Sequence, residues 1–380
     1  MLNSGFFFLK EIIMYEVVIR NGYIYDGLGS NPYIADIAIL NGIIVAIGKI
    51  EDEALNVIDA SGYSVSPGFI DLHTHSDLSF LIEPLADSKL RQGCTFELIG
   101  NCGRSDGGPL FGEAFDLTSE RLETLNFTPN FTLTGNYADY LNLLEQKGTL
   151  INIAGQIGHG TLRTSVIGSG DTNPTLDELD NMISLLDECL DQGAMGFSTG
   201  LYYAPGNYSR TEEIIKLCNV ASKKNKLYST HMRDESDYSI GLRGALEETM
   251  SIAQISGVKT QVSHLKCIGP VTWGQADILL SRIDEMRRGG YDVIADQYPY
   301  TGSSTMLAGA VFPRWVQAGG RAEALQRIED PALYDRLKKD ISRNFYRRGG
   351  AGAISIAQCP DNREFDGLNL EEISFFNLSY

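Results

Sequence analysis

No apolar run in the chain approaches the roughly 20 residues that a membrane span needs, and positive charge is in short supply. The 380 residues carry 31 Lys and Arg against 49 Asp and Glu, a formal net charge of −18. Such a surface repels phosphate backbones and anionic lipid, which argues against nucleic acid or a membrane as partner. Cysteine is scarce: six residues at irregular spacing do not make a disulfide framework. A secretory leader is not expected either. Met1 to Ile13 holds a Phe6-Phe7-Phe8-Leu9 patch but neither a basic start nor a small-residue cleavage site. It reads as an extension without structural role, the sequons at Asn126, Asn130, Asn207 and Asn377 read as chance matches, and the chain is expected to be cytoplasmic. What is present is ordinary for a globular protein: 43% apolar and 21% charged residues exclude disordered, collagen-like and coiled-coil chains.

Two rhythms follow along the chain. Residues 14–67 read as a small all-β module, with Val17 to Arg20, Tyr23 to Tyr25, Ile34 to Leu40 and Ile43 to Ile47 as strands. The pairs Asn21-Gly22 and Asn41-Gly42 read as hairpin turns between them. From Pro67 the pattern becomes strand, loop, helix. Apolar runs at Gly68–His75, Cys94–Gly100, Ile151–Gly158, Ala194–Thr199, Leu227–Met232, Lys259–His264 and Tyr291–Gln297 predict seven parallel strands with crossover helices. Thr175 to Glu178 spells a capping box ahead of apolar positions Leu179, Met182, Ile183, Leu186, Cys189 and Leu190 at helical spacing. Thr211 to Asn225 repeats the device. The fold class is therefore α/β, a TIM-like (β/α) barrel over residues 68–373. A closed barrel takes eight strands, so this one is one strand short. Ala353 to Cys359 is β-like and reads as an extra piece before a last barrel strand.

The five histidines fall in or beside these strands. His73 and His75 share one strand end at i and i+2, a spacing that turns both imidazoles the same way. His231 closes the fifth strand and His264 the sixth, while Cys102 follows the second between glycines. Catalytic groups of barrel enzymes gather at the C-terminal ends of the strands. Four imidazoles and one thiolate there form a nitrogen–sulfur set, which suits zinc rather than magnesium or calcium. His159, just past the third strand, is expected to support a loop or a neighbouring ligand rather than to bind metal.

The run Gly68-Phe69-Ile70-Asp71-Leu72-His73-Thr74-His75 resembles the signature of the amidohydrolase superfamily. Further blocks resemble the N-acyl-D-amino-acid deacylases, or D-aminoacylases: Gly100-Asn101-Cys102-Gly103, Gly158-His159-Gly160-Thr161-Leu162-Arg163, Gly196 to Leu201, Thr230-His231-Met232-Arg233, Ser263-His264-Leu265-Lys266 and Asp296-Gln297-Tyr298-Pro299-Tyr300. The resemblance implies a zinc centre of one or two ions in the barrel, beside a small β-sandwich portion to which residues 14–67 contribute. It implies that Cys102, His231 and His264 hold the tighter zinc, and that His73 and His75 with Cys102 form the weaker position. Lys266, Tyr203, Tyr298 and Ser304, with Arg233 as a further candidate, match positions that contact the substrate. The implied reaction is hydrolysis of an N-acyl-D-amino acid, a small-molecule partner, to a carboxylate and a free D-amino acid.

One departure stands out. The resemblance calls for an aspartate on an eighth strand, usually within Ser-Asp-Gly, and no such motif follows Tyr291; Ser105-Asp106-Gly107 lies on the wrong strand. The catalytic base is therefore unassigned, residues 374–380 read as a tail outside the family pattern, and the chain is expected to be truncated with impaired activity. The alternatives are a cyclic-amide hydrolase of the dihydropyrimidinase or dihydroorotase type, and a non-catalytic remnant. Side-chain preference and oligomeric state are not encoded in these patterns.

Overall fold

The computed structural model describes residues 14–125 and 135–376. The expectations for residues 1–13, for Asn126, Asn130 and Asn377, and for the tail beyond Phe376 lie outside the described residues. The chain divides into two compact units, residues 1–69 and 70–380.

The first unit is a single five-stranded sheet of β1 (Tyr15–Ile24), β2 (Tyr33–Leu40), β3 (Ile43–Gly48), β4 (Ala54–Asp59) and β5 (Ser64–Val65). Its order is β3-β2-β1-β4, with β5 also on β1. Asn41-Gly42 makes the expected turn between β2 and β3. Asn21-Gly22 does not: β1 runs straight through it, and the register against β2 slips between Ile19 and Gly22. Asn21 takes the left-handed conformation at φ 59, and a Cβ on Gly22 would stand 2.7 Å from a Val65 methyl. The pair therefore forms a β-bulge, which uses the same residue types as a tight turn. Tyr15, Val18, Ala38 and Ile50 make the small core.

The second sheet has seven strands in the order β12-β11-β10-β9-β8-β7-β6: β6 (Phe69–Asp71), β7 (Cys94–Ile99), β8 (Asn152–Gly158), β9 (Gly196–Gly200), β10 (Leu227–His231), β11 (Lys259–Val262) and β12 (Val293–Ala295). The pairings from β7 to β12 are parallel. All seven expected strands are present, several ending earlier than the apolar runs suggest, and no eighth occurs among the described residues. The sheet curls so that its two edges meet at the C-terminal rim. Gln261 Nε2 lies 3.5 Å from Leu72 O, and His73 Nδ1 lies 3.4 Å from Asp296 Oδ2. Ala353 to Cys359 is not a strand: it follows a short 3-10 turn and makes one isolated bridge, Ser355 to Asn369.

The helices pack the outside of this sheet. Leu176–Asp191 carries the expected capping box at Thr175 and Glu178 and buries Leu179, Met182, Leu186, Cys189 and Leu190. Full burial of one such aliphatic side chain is worth about 1.5–3 kcal/mol. Thr211–Lys223 lacks the box. Thr211 is the first helical residue rather than the cap, because its hydroxyl donates instead to Glu248 across the helix interface, at 2.7 Å. Inside the curl many of the contacts are polar. Gln156 Nε2 donates to Asn101 Oδ1 at 3.1 Å and to Ser229 Oγ at 2.9 Å, and Thr199 bonds Thr230 at 2.7 Å. These bonds fix the strand ends that carry the site.

Candidate metal centre

Four strand ends bring their side chains together. Cys102 Sγ stands 3.3 Å from His73 Nε2 and 3.4 Å from His264 Nε2. The His231 and His264 rings are 4.3 Å apart, centre to centre, and those of His73 and His264 are 4.8 Å apart. Two sets of donor atoms lie within 4.8 Å of one another and can each hold a metal ion: His73, Cys102 and His264, and His231, Glu235 and His264. His264 belongs to both. His75 stands beside His73 at 5.5 Å between ring centres but belongs to neither set. The strand that was to aim His73 and His75 together ends at Asp71, so the loop places each separately.

Buried polar atoms at this point lack partners. Both ring nitrogens of His231 and Oε2 of Glu235 are buried without a hydrogen bond, although Nε2 and Oε2 are 3.3 Å apart. A buried polar atom left unpaired costs about 1–3 kcal/mol, so His231 Nε2 and Glu235 Oε2, which face each other, suit a cation at that point. Protonation suits the same purpose. Burial, against the opposing pull of Glu235, drives His231 down to about 3; burial and then His73 drive His75 down to about 4. Both imidazoles are neutral at pH 7 with lone pairs to offer. Burial, with Glu235 nearby, pushes the Cys102 thiol well above its ordinary value, so without a metal it keeps its proton. Burial opposes ionisation of Glu235, but His231 and Lys266 outweigh it and hold the carboxyl well below the usual range.

The backbone is bent to present these groups. Cys102 and His264 both sit at positive φ, 53° and 37°, a region that costs a residue with a Cβ about 1–2 kcal/mol. Strain at two residues that bear donor atoms marks a site rather than a core. In metal-free protein, Cys102→Gly is therefore expected to be more stable than Cys102→Ala. The difference is about 0.5–1 kcal/mol once glycine's extra freedom in the unfolded chain is subtracted. Urea denaturation in chelator checks the order, and an alanine variant equal or better would mean the strain is absent.

Carboxylates and an amide behind the donors were not singled out from sequence. Asp296 Oδ2 faces His73 Nδ1 and takes a 2.5 Å hydrogen bond from Gln261, while Oδ1 accepts the His264 N–H at 2.7 Å. Burial opposes the Asp296 charge, and His73 chiefly overcomes it, lowering the group. Glu235 Oε1 lies 2.5 Å from Lys266 Nζ and 3.1 Å from His264 Nδ1. Asn101, fully buried, donates to Leu98 O at 2.8 Å and to Thr74 O at 3.3 Å, which braces the turn that presents Cys102. Asn101 and Asp296 sit inside quoted motifs and Glu235 follows His231 by four residues. Their role depends on contacts between strands, which spacing does not show.

A cavity of about 700 Å³ opens over the centre, and His75, Cys102, His231 and His264 reach it. Lys266, Tyr203, Tyr298 and Ser304, the expected substrate contacts, all line it. Arg233 does not. Its guanidinium is committed to Glu248, at 2.8 Å, and to Asn207 O, at 3.2 Å, so it braces the helix Gly241–Ser256. His159 is buried on Glu213, at 2.7 Å, which also pairs with Arg163. Asp106, of the misplaced Ser-Asp-Gly, lines the cavity near His75 in ion pairs with Arg104 and Arg121.

The amidohydrolase family model matches residues 56–262, more than half of the chain. The chain belongs to the amidohydrolase family. It is 37% identical over 294 residues to N-acyl-D-glutamate deacylase of Alcaligenes xylosoxydans xylosoxydans, covering 77% of this chain and 58% of that one. D-aminoacylase of the same organism is 35% identical, with 77% and 59% covered. This amidohydrolase thus spans less than two thirds of these curated relatives. Among solved structures it is similar to N-acyl-D-glutamate deacylase of Bordetella bronchiseptica, complexed with zinc and a phosphonate inhibitor, at TM-score 0.71 and 32% identity over 88% of this chain and 74% of that one. A D-aminoacylase structure described with a binuclear metal centre gives TM-score 0.75 and 30% identity over 96% and 67%. No helix among the described residues is long and apolar enough to cross a membrane.

Proposed function

We propose that this chain carries the zinc site of an N-acyl-D-amino-acid deacylase, which hydrolyses the amide to a carboxylate and a free D-amino acid. The observation that carries the reading is the meeting of Cys102, His73, His231 and His264 from four strand ends, with Cys102, His231 and His264 reaching the wall of a cavity. Similarity to D-amino-acid deacylases at 30–37% identity supports the substrate class. A cyclic-amide hydrolase is less well supported: the superfamily resemblance implies that in such enzymes a lysine of the fourth barrel strand is the shared metal ligand, whereas β9, Gly196-Phe197-Ser198-Thr199-Gly200, offers no lysine and Cys102 would take that place.

His264, common to both donor sets, would hold one zinc with Cys102 and His231, and His73 with the shared Cys102 a second; His75, outside both sets, would join that second position by turning toward it. Bound zinc supplies Lewis acidity that polarises an acyl carbonyl and makes a water nucleophilic near neutral pH. The chain's own residues bind and orient. Lys266, its side chain 16% exposed and its ammonium 5.8 Å over the Tyr298 ring, presents a cation to the α-carboxylate. Tyr203, held by Thr305 at 3.0 Å, and Tyr298 and Ser304 offer hydroxyls from the facing walls. Contact at several points on one chiral centre is what discriminates D from L.

Zinc-loaded protein is expected to release free amine from N-acetyl-D-methionine, N-acetyl-D-glutamate or N-acetyl-D-aspartate and not from the L forms, and to stop when chelated. Lys266→Met is expected to raise KM roughly tenfold or more through loss of the carboxylate's partner. Equal turnover of D and L substrates, or turnover unchanged by chelation, overturns the reading.

A further inference from the structure

The two imidazoles that face Cys102 are held in parallel ways. His73 and His264 both turn Nε2 toward the sulfur, at 3.3 and 3.4 Å. Both set Nδ1 beside a carboxylate, Asp296 for His73 at 3.4 Å and Glu235 for His264 at 3.1 Å. An imidazole that gives Nε2 to a metal carries its proton on Nδ1, and a carboxylate accepting that proton fixes the tautomer. For His73 that assignment meets no rival among the described residues. For His264 it does: Lys266 Nζ lies 2.8 Å from the same Nδ1. An ammonium only donates, so a Lys266 bond to Nδ1 needs the lone pair there and leaves the proton on Nε2, pointing at Cys102. That tautomer cannot bind metal through Nε2. Glu235 Oε1 is within reach of both competitors, 2.5 Å from Lys266 Nζ and 3.1 Å from Nδ1, and is almost wholly buried, so bulk water does not replace it.

We propose that Glu235 is a positioning residue that accepts the Nδ1 proton of His264 when Nε2 takes a metal, and that metal entry thereby ends the Lys266 contact to Nδ1 and frees one ammonium N–H for an anionic substrate. The inference rests on the zinc reading above and adds to it an order of events, metal first and carboxylate second. The protons balance. Nε2 loses its proton to solvent as the metal takes the lone pair, Nδ1 gains one from solvent, and the new Nδ1–H donates to Glu235. Lys266 keeps its ion pair with Glu235 and its bond to His264 O, at 3.1 Å, and loses only the Nδ1 contact.

The test needs no turnover. In protein labelled with ¹⁵N-histidine, the His264 signals, assigned by their loss in His264→Gln, are expected to report a proton on Nε2 without metal and on Nδ1 with zinc. Glu235→Gln keeps the shape but lowers the accepting power, and is expected to weaken zinc roughly 10- to 100-fold in chelator competition, while cobalt loading still gives the thiolate charge-transfer band of Cys102. The same tautomer in both states, or wild-type zinc affinity in Glu235→Gln, overturns the proposal. Loss of the cobalt–thiolate band in that variant, with zinc stoichiometry falling too, would make Glu235 a direct ligand and equally overturn it. Should Glu235→Gln fail to fold, the wild-type spectra alone decide. A wild-type chain that takes up no zinc at all would instead defeat the zinc reading itself, a result distinct from each of these.

Discussion

Cys102→Ser is expected to weaken zinc binding by at least about 100-fold, and the loss should grow with pH. Four ligands together contribute roughly 10–16 kcal/mol of apparent zinc affinity near pH 7, so one thiolate carries on the order of 3 kcal/mol. The pH dependence follows from burial. The Cys102 thiol is pushed well above its ordinary value, so each zinc that uses the sulfur must displace a proton there. His231 and His75, lowered to about 3 and about 4, are already neutral above pH 5 and release none. Each unit of pH therefore raises the affinity contributed by the thiol roughly tenfold, and the rise continues through pH 8.5 because the thiol has not yet titrated. Competition with a chelator at pH 7.0, 7.75 and 8.5 should give a wild-type slope steeper by one proton than that of Cys102→Ser. Equal slopes would mean the sulfur is not a ligand, and the centre would then be built from imidazole and carboxylate alone.

Much of this centre was legible in the sequence because the strands carry their donors at their ends. The motifs around His73, Cys102, His231 and His264 each follow a β-rich run, and a parallel sheet brings such ends to one rim whatever the exact strand limits. That is why His264 stands at the site although β11 stops at Val262. Other features were not legible. Asn21-Gly22 satisfies a bulge as well as a turn, since both need a residue at positive φ, and only pairing to β2 and β4 distinguishes them. Thr211 had the letters of a cap, but its hydroxyl found a better partner in Glu248. Arg233 lies two residues from His231, yet the chain turns there and commits it to Glu248. Glu235 and Asp296 show the deeper limit. A carboxylate next to a histidine in space but 29 or 223 residues away in the chain, as Glu235 is from His264 and Asp296 from His73, leaves no local pattern to read.

The packing beneath the sulfur leads to the second large effect, at a residue with no chemistry of its own. Gly200 ends β9 opposite His231, and Leu201 N donates to His231 O at 3.0 Å. A Cβ built on Gly200 would stand 2.1 Å from Cys102 O and 2.8 Å from Cys102 C. Its φ is not in the left-handed region, so alanine is conformationally permitted and the obstacle is steric. The atoms in the way are backbone, braced by Asn101, and cannot rotate aside as a flexible side chain would. Gly200→Ala must therefore push the Cys102 turn away from β9. Forcing extra atoms into a packed site commonly costs about 1–3 kcal/mol, and here the clash with the Cys102 main chain puts the expected loss at roughly 3 kcal/mol. The displaced sulfur should also lose zinc, giving a variant impaired in metal content as well as stability. Gly302→Ala is the matched control, because no atom lies within 4 Å of its Cβ and surface changes of this kind stay within about 0.5 kcal/mol. Thermal denaturation with and without zinc measures both variants. In wild type and Gly302→Ala, zinc should raise the melting temperature; in Gly200→Ala that increment should shrink along with the baseline. A Gly200→Ala protein with wild-type melting and a full zinc increment would show that the β9 end and the Cys102 turn are not in contact, and the convergence of donors on this rim would have to be reconsidered.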